Sequence, residues 1–177
     1  MVRTLKSTHL EFEDWVPFPI ESVFDFFSNP ENLPRIMPAA SATRILELKR
    51  VPPRIPGPNP KAAGTGSRIT TSFRVFPYLL FRAPWTACIT EFEWIHHFAD
   101  VQQEGPFKSW HHRHEFATQT RDGVNGTIIR DIIDYQVGLR FLGRIADALF
   151  LRRQIESTFA QRQQALPKLL SEKQTLV

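Results

Sequence analysis

The spacing of apolar positions changes along this chain, and each change predicts a different element. Residues 8–16 alternate, with Leu10 and Phe12 set against His9, Glu11 and Glu13, which predicts a strand. Pro17 and Pro19 end it, and the rhythm becomes helical. Ile20, Val23, Phe24 and Phe27 fall on one face of a short helix over 20–27, with Pro19 suited to its first turn. Ser28-Asn29-Pro30 breaks that helix, and Asn29 is placed to cap a second short one over 30–36 that stops near Pro38. Strand-like stretches follow over 42–48, 67–76, 84–94, 97–104, 108–120 and 124–137. Most are joined by turns short enough to make neighbours antiparallel. Last, Phe141, Leu142, Ile145, Leu149, Ile155, Phe159, Leu166 and Leu169 form a helical stripe over 141–170. That helix is roughly 30 residues and about 45 Å long, and Pro167 is expected to disturb its last turn.

One stretch fits neither rhythm. Residues 51–66 hold five prolines and three glycines, which excludes a regular helix or a central strand. A long irregular loop of this kind is either a functional lid or disordered.

The order of strand, two short helices, about six strands and one long helix predicts an α+β fold. An antiparallel sheet needs its apolar face covered, and the long helix is the available cover. A curved sheet wrapped around one helix leaves a cavity between them unless side chains fill it. At 177 residues the chain is read as a single domain over 1–177, with 51–66 as a loop insertion.

Composition narrows the function classes. Fifteen Phe and four Trp supply a core and a surplus. No apolar run reaches the roughly 18 residues of a membrane span, and the first residues lack a secretory h-region. A single cysteine, Cys88, excludes an internal disulfide and fits a reducing cytoplasm. The net charge is +4, but the basic residues are scattered, so nucleic acid is not expected as a partner. The apolar run at 77–81 leaves peripheral membrane contact open.

The candidate chemistry lies around residues 98–135. Asp122-Gly123 is a two-residue hairpin signal, which sets Arg121 opposite Val124, His114 opposite Asp131 and Trp110 opposite Tyr135. Asn125-Gly126 competes as a turn but leaves the same residues on the same face. Reading 105–107 as a three-residue loop sets Glu104 opposite Lys108, Gln102 opposite Trp110, Asp100 opposite His112 and Phe98 opposite His114. One face then carries Phe98, Asp100, Gln102, Trp110, His112, His114, Phe116, Asp131 and Tyr135. A carboxylate beside each imidazole fixes a tautomer and raises basicity. The pairs Asp100–His112 and His114–Asp131 serve to staple a curved sheet, to orient a ligand, or to move a proton on a bound carbonyl while Tyr135 hydrogen-bonds the oxyanion.

His112 and His114, two apart on a strand, also suit two zinc ligands, with Asp100 or Asp131 as a third. Gly64-Thr65-Gly66 lacks the following Lys of a phosphate loop, and no serine sits in a nucleophile elbow. Phe24, Phe27, Phe150 and Phe159 are expected in the core, and Phe73, Phe76, Tyr78, Phe81 and Trp85 at the cavity rim or on a partner-facing patch.

Three segments carry a family resemblance. They are 19–34, then Phe98-Ala-Asp100-Val-Gln102 with 105–116, and Asp131-Ile-Ile-Asp-Tyr135 with the helix that follows. On them the chain resembles START-like proteins of the helix-grip type, the SRPBCC superfamily, and within it a bacterial polyketide cyclase/dehydrase-like branch. The resemblance covers nearly the whole chain. It implies a curved sheet of about six to seven strands around a long C-terminal helix, and a small hydrophobic or amphipathic partner bound between them. It favours neither metal nor cofactor. The ligand-binding set is then Phe98, Asp100, Gln102, Trp110 and Phe116. A cofactor-independent cyclase/dehydratase would use His112, His114, Asp131 and Tyr135, and an interaction module would have its cavity filled.

Overall fold

The computed structural model describes residues 7–74, 82–138 and 150–174. Among them, seven strands form one sheet in the order β1-β7-β6-β5-β4-β3-β2, with every neighbouring pair antiparallel. The strands are β1 (Thr8–Val16), β2 (Arg44–Lys49), β3 (Arg68–Arg74), β4 (Arg82–Glu93), β5 (His97–Glu104), β6 (Ser109–Arg121) and β7 (Val124–Gln136). The helices are α1 (Ile20–Ser28), α2 (Leu33–Ile36) and the long α3 (Arg152–Gln174). This is the expected α+β helix-grip architecture. No helix among the described residues is long and apolar enough to cross a membrane.

Local chemistry sets the boundaries. Pro19 sits just outside α1, where its carbonyl accepts from the Val23 amide at 3.1 Å. The Asn29 side chain accepts from the Glu31 amide at 3.1 Å and so caps the turn leading into α2. At the β6–β7 hairpin Asp122 and Gly123 have φ of 50° and 77°, the left-handed pair that a two-residue turn with the sheet's own twist requires. This turn wins over Asn125-Gly126, whose residues pair instead with Thr120 and Gln119. The predicted register follows, with His114 opposite Asp131 and Trp110 opposite Tyr135. Phe98 opposite His114 and Asp100 opposite His112 also hold.

The β5–β6 loop departs from expectation. Pairing ends at Val101 opposite His111, so Glu104 does not face Lys108 across a three-residue loop. Beyond that point β5 stays with β4, Glu104 lying opposite Thr86. The Gln102 amide closes the loop instead, donating to the Phe107 carbonyl at 2.8 Å and accepting from its amide at 3.3 Å.

Residues 51–66 run as an irregular segment without helix or strand. Their backbone is fastened to the domain: Ala63 to Ser28, Gly66 to Ile89, and Ile55 to the Trp94 indole N–H at 2.7 Å. The Ser67 hydroxyl grips both backbone groups of Val51. A side chain at Gly57 would stand 2.1 Å from the Trp94 ring, so this close approach requires glycine.

α3 runs through Pro167 to Gln174 rather than failing near its end. It buries Ile155, Phe159, Arg162, Leu166 and Leu170 against the sheet and the short helices. Phe150 is 61 % exposed and is not a core residue, contrary to expectation. Phe141, Leu142, Ile145 and Leu149, and the run at 77–81 with Phe76, lie outside the described residues. The buried apolar side chains form two clusters, one holding Phe24, Phe98, Phe116 and Ile129, the other Leu10, Trp110, Ile133, Tyr135 and Phe159. His114, Asp131 and Arg162 are the buried polar residues at the seam between the clusters, with His112 beside them.

Candidate functional site

Between the sheet and α3 the described residues line a cavity of about 340 Å³. Apolar residues from α1, α2, β3, β4 and α3 line most of it, including Phe27, Ile36, Ile69, Trp85, Ile89 and Phe159. Asp100, His112, His114 and Arg162 line the polar part.

Strand alternation puts Asp100 of β5, His112 and His114 of β6, and Asp131 of β7 on the concave face. Asp131 is 1 % exposed and joins the group. Its Oδ1 accepts from His112 Nε2 at 3.0 Å, and its Oδ2 pairs with the Arg162 guanidinium. His114 Nδ1 lies 2.6 Å from the same Oδ1, but the angle is wrong for donation, so this is a close approach and not a hydrogen bond. His112 Nδ1 stands 3.8 Å from Asp100 Oδ2, beyond hydrogen-bond reach. The two imidazole centroids are 4.0 Å apart. The Arg162 guanidinium lies over the Phe159 ring at 4.5 Å and the Phe27 ring at 5.3 Å. Phe159 in turn stacks on Phe12 at 4.4 Å.

The expected pairs are therefore rearranged. Asp131 stands opposite His114 in the ladder yet hydrogen-bonds His112, two residues along the same face. Nor is either histidine made more basic. Burial holds His112 well below its ordinary pKa, with His114 and Arg162 adding to the effect and Asp100 opposing it. Burial and Arg162 do the same to His114. Both rings are neutral at pH 7. With Nε2 donating to Asp131, His112 presents an Nδ1 lone pair toward Asp100. Burial raises the Asp100 carboxyl to about 6, against the pull of His112. Burial lowers Arg162 to about 9, opposed by Asp14, so it remains a cation at neutral pH. Burial raises Asp14 as well.

Of the predicted ligand-binding residues, Phe98, Asp100 and Trp110 line the cavity. Gln102 is committed to the β5–β6 loop and Phe116 packs in the core. Of the four residues proposed for proton transfer, His112 and His114 line the cavity, while Asp131 stands behind them. Tyr135 is fully buried against Phe107 and Trp110 and forms no part of the lining, which removes the expected oxyanion donor. Phe73 and Trp85 line the cavity as expected, whereas Phe76, Tyr78 and Phe81 lie outside the described residues.

Arg162 is the site residue that the apolar pattern passed over. The stripe skips from Phe159 to Leu166, and the position three after Phe159 that completes the helical spacing is this arginine. A cation in the apolar seam of a buried helix is the signal that could have found it.

Comparison with known proteins agrees with this geometry. The family described as "Polyketide cyclase / dehydrase and lipid transport" matches residues 16–163. No curated protein matches the chain. Among solved structures, TTHA0849 from Thermus thermophilus is 14 % identical, with a TM-score of 0.66 over 94 % of this chain and 99 % of that one. Norcoclaurine synthase from Thalictrum flavum, in complex with dopamine and hydroxybenzaldehyde, is 16 % identical, with a TM-score of 0.61 over 95 % and 88 %. A START superfamily protein from Mycobacterium smegmatis is 12 % identical, with a TM-score of 0.62 over 93 % and 97 %. At these identities the three share the fold of this chain.

Proposed function

The chain belongs to the polyketide cyclase / dehydrase and lipid transport family, and from that premise we propose that it binds a small amphipathic molecule between the sheet and α3. The apolar body lies among Phe27, Ile69, Trp85 and Phe159, and its one polar group meets Asp100, His112 and His114. A single observation carries this reading: a cavity of about 340 Å³ whose walls are largely apolar and whose polar groups converge in one place. That size and layout suit a small-molecule site, since such pockets span roughly 300–1,000 Å³ with few, clustered polar groups.

Ala87 of β4 lines the cavity opposite Ile69, so Ala87→Phe fills it. The expected outcome is loss of a co-purified guest in native mass spectrometry, and at least tenfold weaker uptake of an environment-sensitive apolar fluorophore. The accompanying overpacking cost is about 1–3 kcal/mol. Equal fluorophore binding by both proteins would overturn the proposal.

A second reading, a cofactor-independent cyclase/dehydratase-type enzyme, is favoured by one observation. Asp100, a carboxyl near 6, touches the cavity, which is the range a general acid or base needs at neutral pH. In this reading Asp100 exchanges a proton with the guest, Asp131 holds His112 in place, and the Arg162 charge offsets a developing oxyanion. Asp100→Asn abolishes ring closure of an aromatic polyketone while leaving its binding intact. An unchanged rate rejects the enzyme and leaves the binding reading standing.

A further inference from the structure

We propose that Asp100, His112 and His114 form a mononuclear site for a divalent transition-metal ion, with an open coordination position facing the cavity. The donor atoms of these three side chains lie within 4.8 Å of one another. Ligands around a tetrahedral ion with bonds of about 2.1 Å stand about 3.4 Å apart, so small side-chain rotations complete the set. Two imidazoles and one carboxylate are a donor set that suits zinc and its first-row neighbours.

Three features of the surroundings point to a cation here. The first is tautomeric. The His112 Nε2–H is held by Asp131 Oδ1 at 3.0 Å, which turns the Nδ1 lone pair toward Asp100 Oδ2, 3.8 Å away. Two electron-rich atoms facing each other across that gap repel unless a positive centre lies between them. This carboxylate–imidazole relay is also how metal-binding histidines are oriented from behind. The second is a close approach: His114 is 7 % exposed, and its Nδ1 stands 2.6 Å from Asp131 Oδ1 without hydrogen-bond geometry, so this carboxylate backs both imidazoles. The third is the placing of charge. The Arg162 guanidinium pairs with Asp131 Oδ2, the oxygen other than the one that accepts from His112. Asp100 has His112, 3.8 Å away, as its ion-pair partner among the described residues.

The site differs from a structural zinc centre because all three ligands line the cavity. An ion held there has coordination positions left for a guest's oxygen, which it would polarise. The inference does not depend on which guest the apolar walls accept.

The test uses the full chain, stripped with a chelator, desalted and titrated with Co²⁺ by visible absorption and with Zn²⁺ by calorimetry. The expected result is one ion per chain, with visible bands of tetrahedral or five-coordinate cobalt. Asp100→Asn is expected to weaken binding at least tenfold, and His112→Gln similarly. Should His112→Gln fail to fold, the smaller change at Asp100 still decides the matter. His9→Gln, at an exposed histidine on the convex face, serves as the control and is expected to bind like the parent. The proposal is overturned by absence of the cobalt bands, by Asp100→Asn binding as tightly as the parent, or by loss of the ion in His9→Gln. A chain that takes up the apolar fluorophore but no cobalt keeps the cavity reading and loses this one.

Discussion

The concave and convex faces of strands β5, β6 and β7 are built from alternate residues of the same segments, and both carry acids, bases and ion pairs. On the convex face Arg130 bridges Glu11 at 3.1 Å and Glu13 at 3.0 Å, and Arg113 meets Glu115 at 2.9 Å and also pairs with Glu91. These side chains are 27–51 % exposed, so water screens every contact. On the concave face Asp131 has 1 % of its surface exposed and His112 12 %. The residue types match, but the energetics do not. Outside, a charge loses little when its partner leaves, because water replaces the partner. Inside, each charge is kept only while a specific counter-group remains. The Arg–Asp pair, the two histidines and the further carboxyl against the apolar cavity are therefore the groups of this sheet most dependent on their partners.

The sharpest way to break the contrast is to unpair the inner charges. Arg162→Leu leaves Asp131 buried without its cation, and a loss of about 3–5 kcal/mol in urea unfolding is expected. Asp131→Asn leaves the guanidinium buried instead and costs a similar amount. The double variant recovers much of either loss, since no charge is then stranded. Losses below about 1 kcal/mol in both single variants would place this pair with the convex ones.

That decisive pair was only half legible in the sequence. The strand face was readable because alternation and the Asp122-Gly123 turn fix which residues share it, and a slip between competing turns leaves their faces unchanged. Which carboxylate bonds which histidine was not readable. Opposition in a ladder is a property of Cα positions, whereas Asp131 reaches diagonally to His112. The direction of the histidine shifts depends on burial depth, which no local pattern encodes. Arg162 arrives from a helix more than 25 residues on in sequence from Asp131, and it follows only once the helix is rotated onto the sheet. The 51–66 segment is held largely through backbone groups, and hydrophobic patterning says nothing about those.

Acidity sharpens the comparison next. Asp100 is raised to about 6 in the folded chain, so its contribution favours folding below the unfolded carboxylate range near 4 and is lost as pH rises through about 6. Asp100→Asn, in chelator, is therefore expected to gain roughly 2–3 kcal/mol over the parent at pH 7.5, shrinking toward zero near pH 4. His112 and His114 act the other way. Held below their ordinary value, they contribute stability above about pH 6.5 that is lost on acidification. With the Asp100 contribution removed, the variant loses stability more steeply than the parent between pH 6 and 4. A parent and variant with parallel pH profiles would mean that Asp100 titrates like a surface carboxyl.

The smallest effect belongs to the convex face, and its smallness is the point. Arg130 pairs with three glutamates, Glu11, Glu13 and Glu115, and by count of partners it is the best connected cation in the sheet among the described residues. Its side chain is 40 % exposed, so Arg130→Gln is expected to cost no more than about 1 kcal/mol. The difference should narrow further at 1 M salt, where the screening length falls to about 3 Å. Arg162, with one carboxylate in contact, is expected to cost several times as much and to show little salt dependence. If instead Arg130→Gln proves the more damaging, then number of partners outweighs burial in this sheet, and the inner cluster loses its claim to being the costly side of the fold.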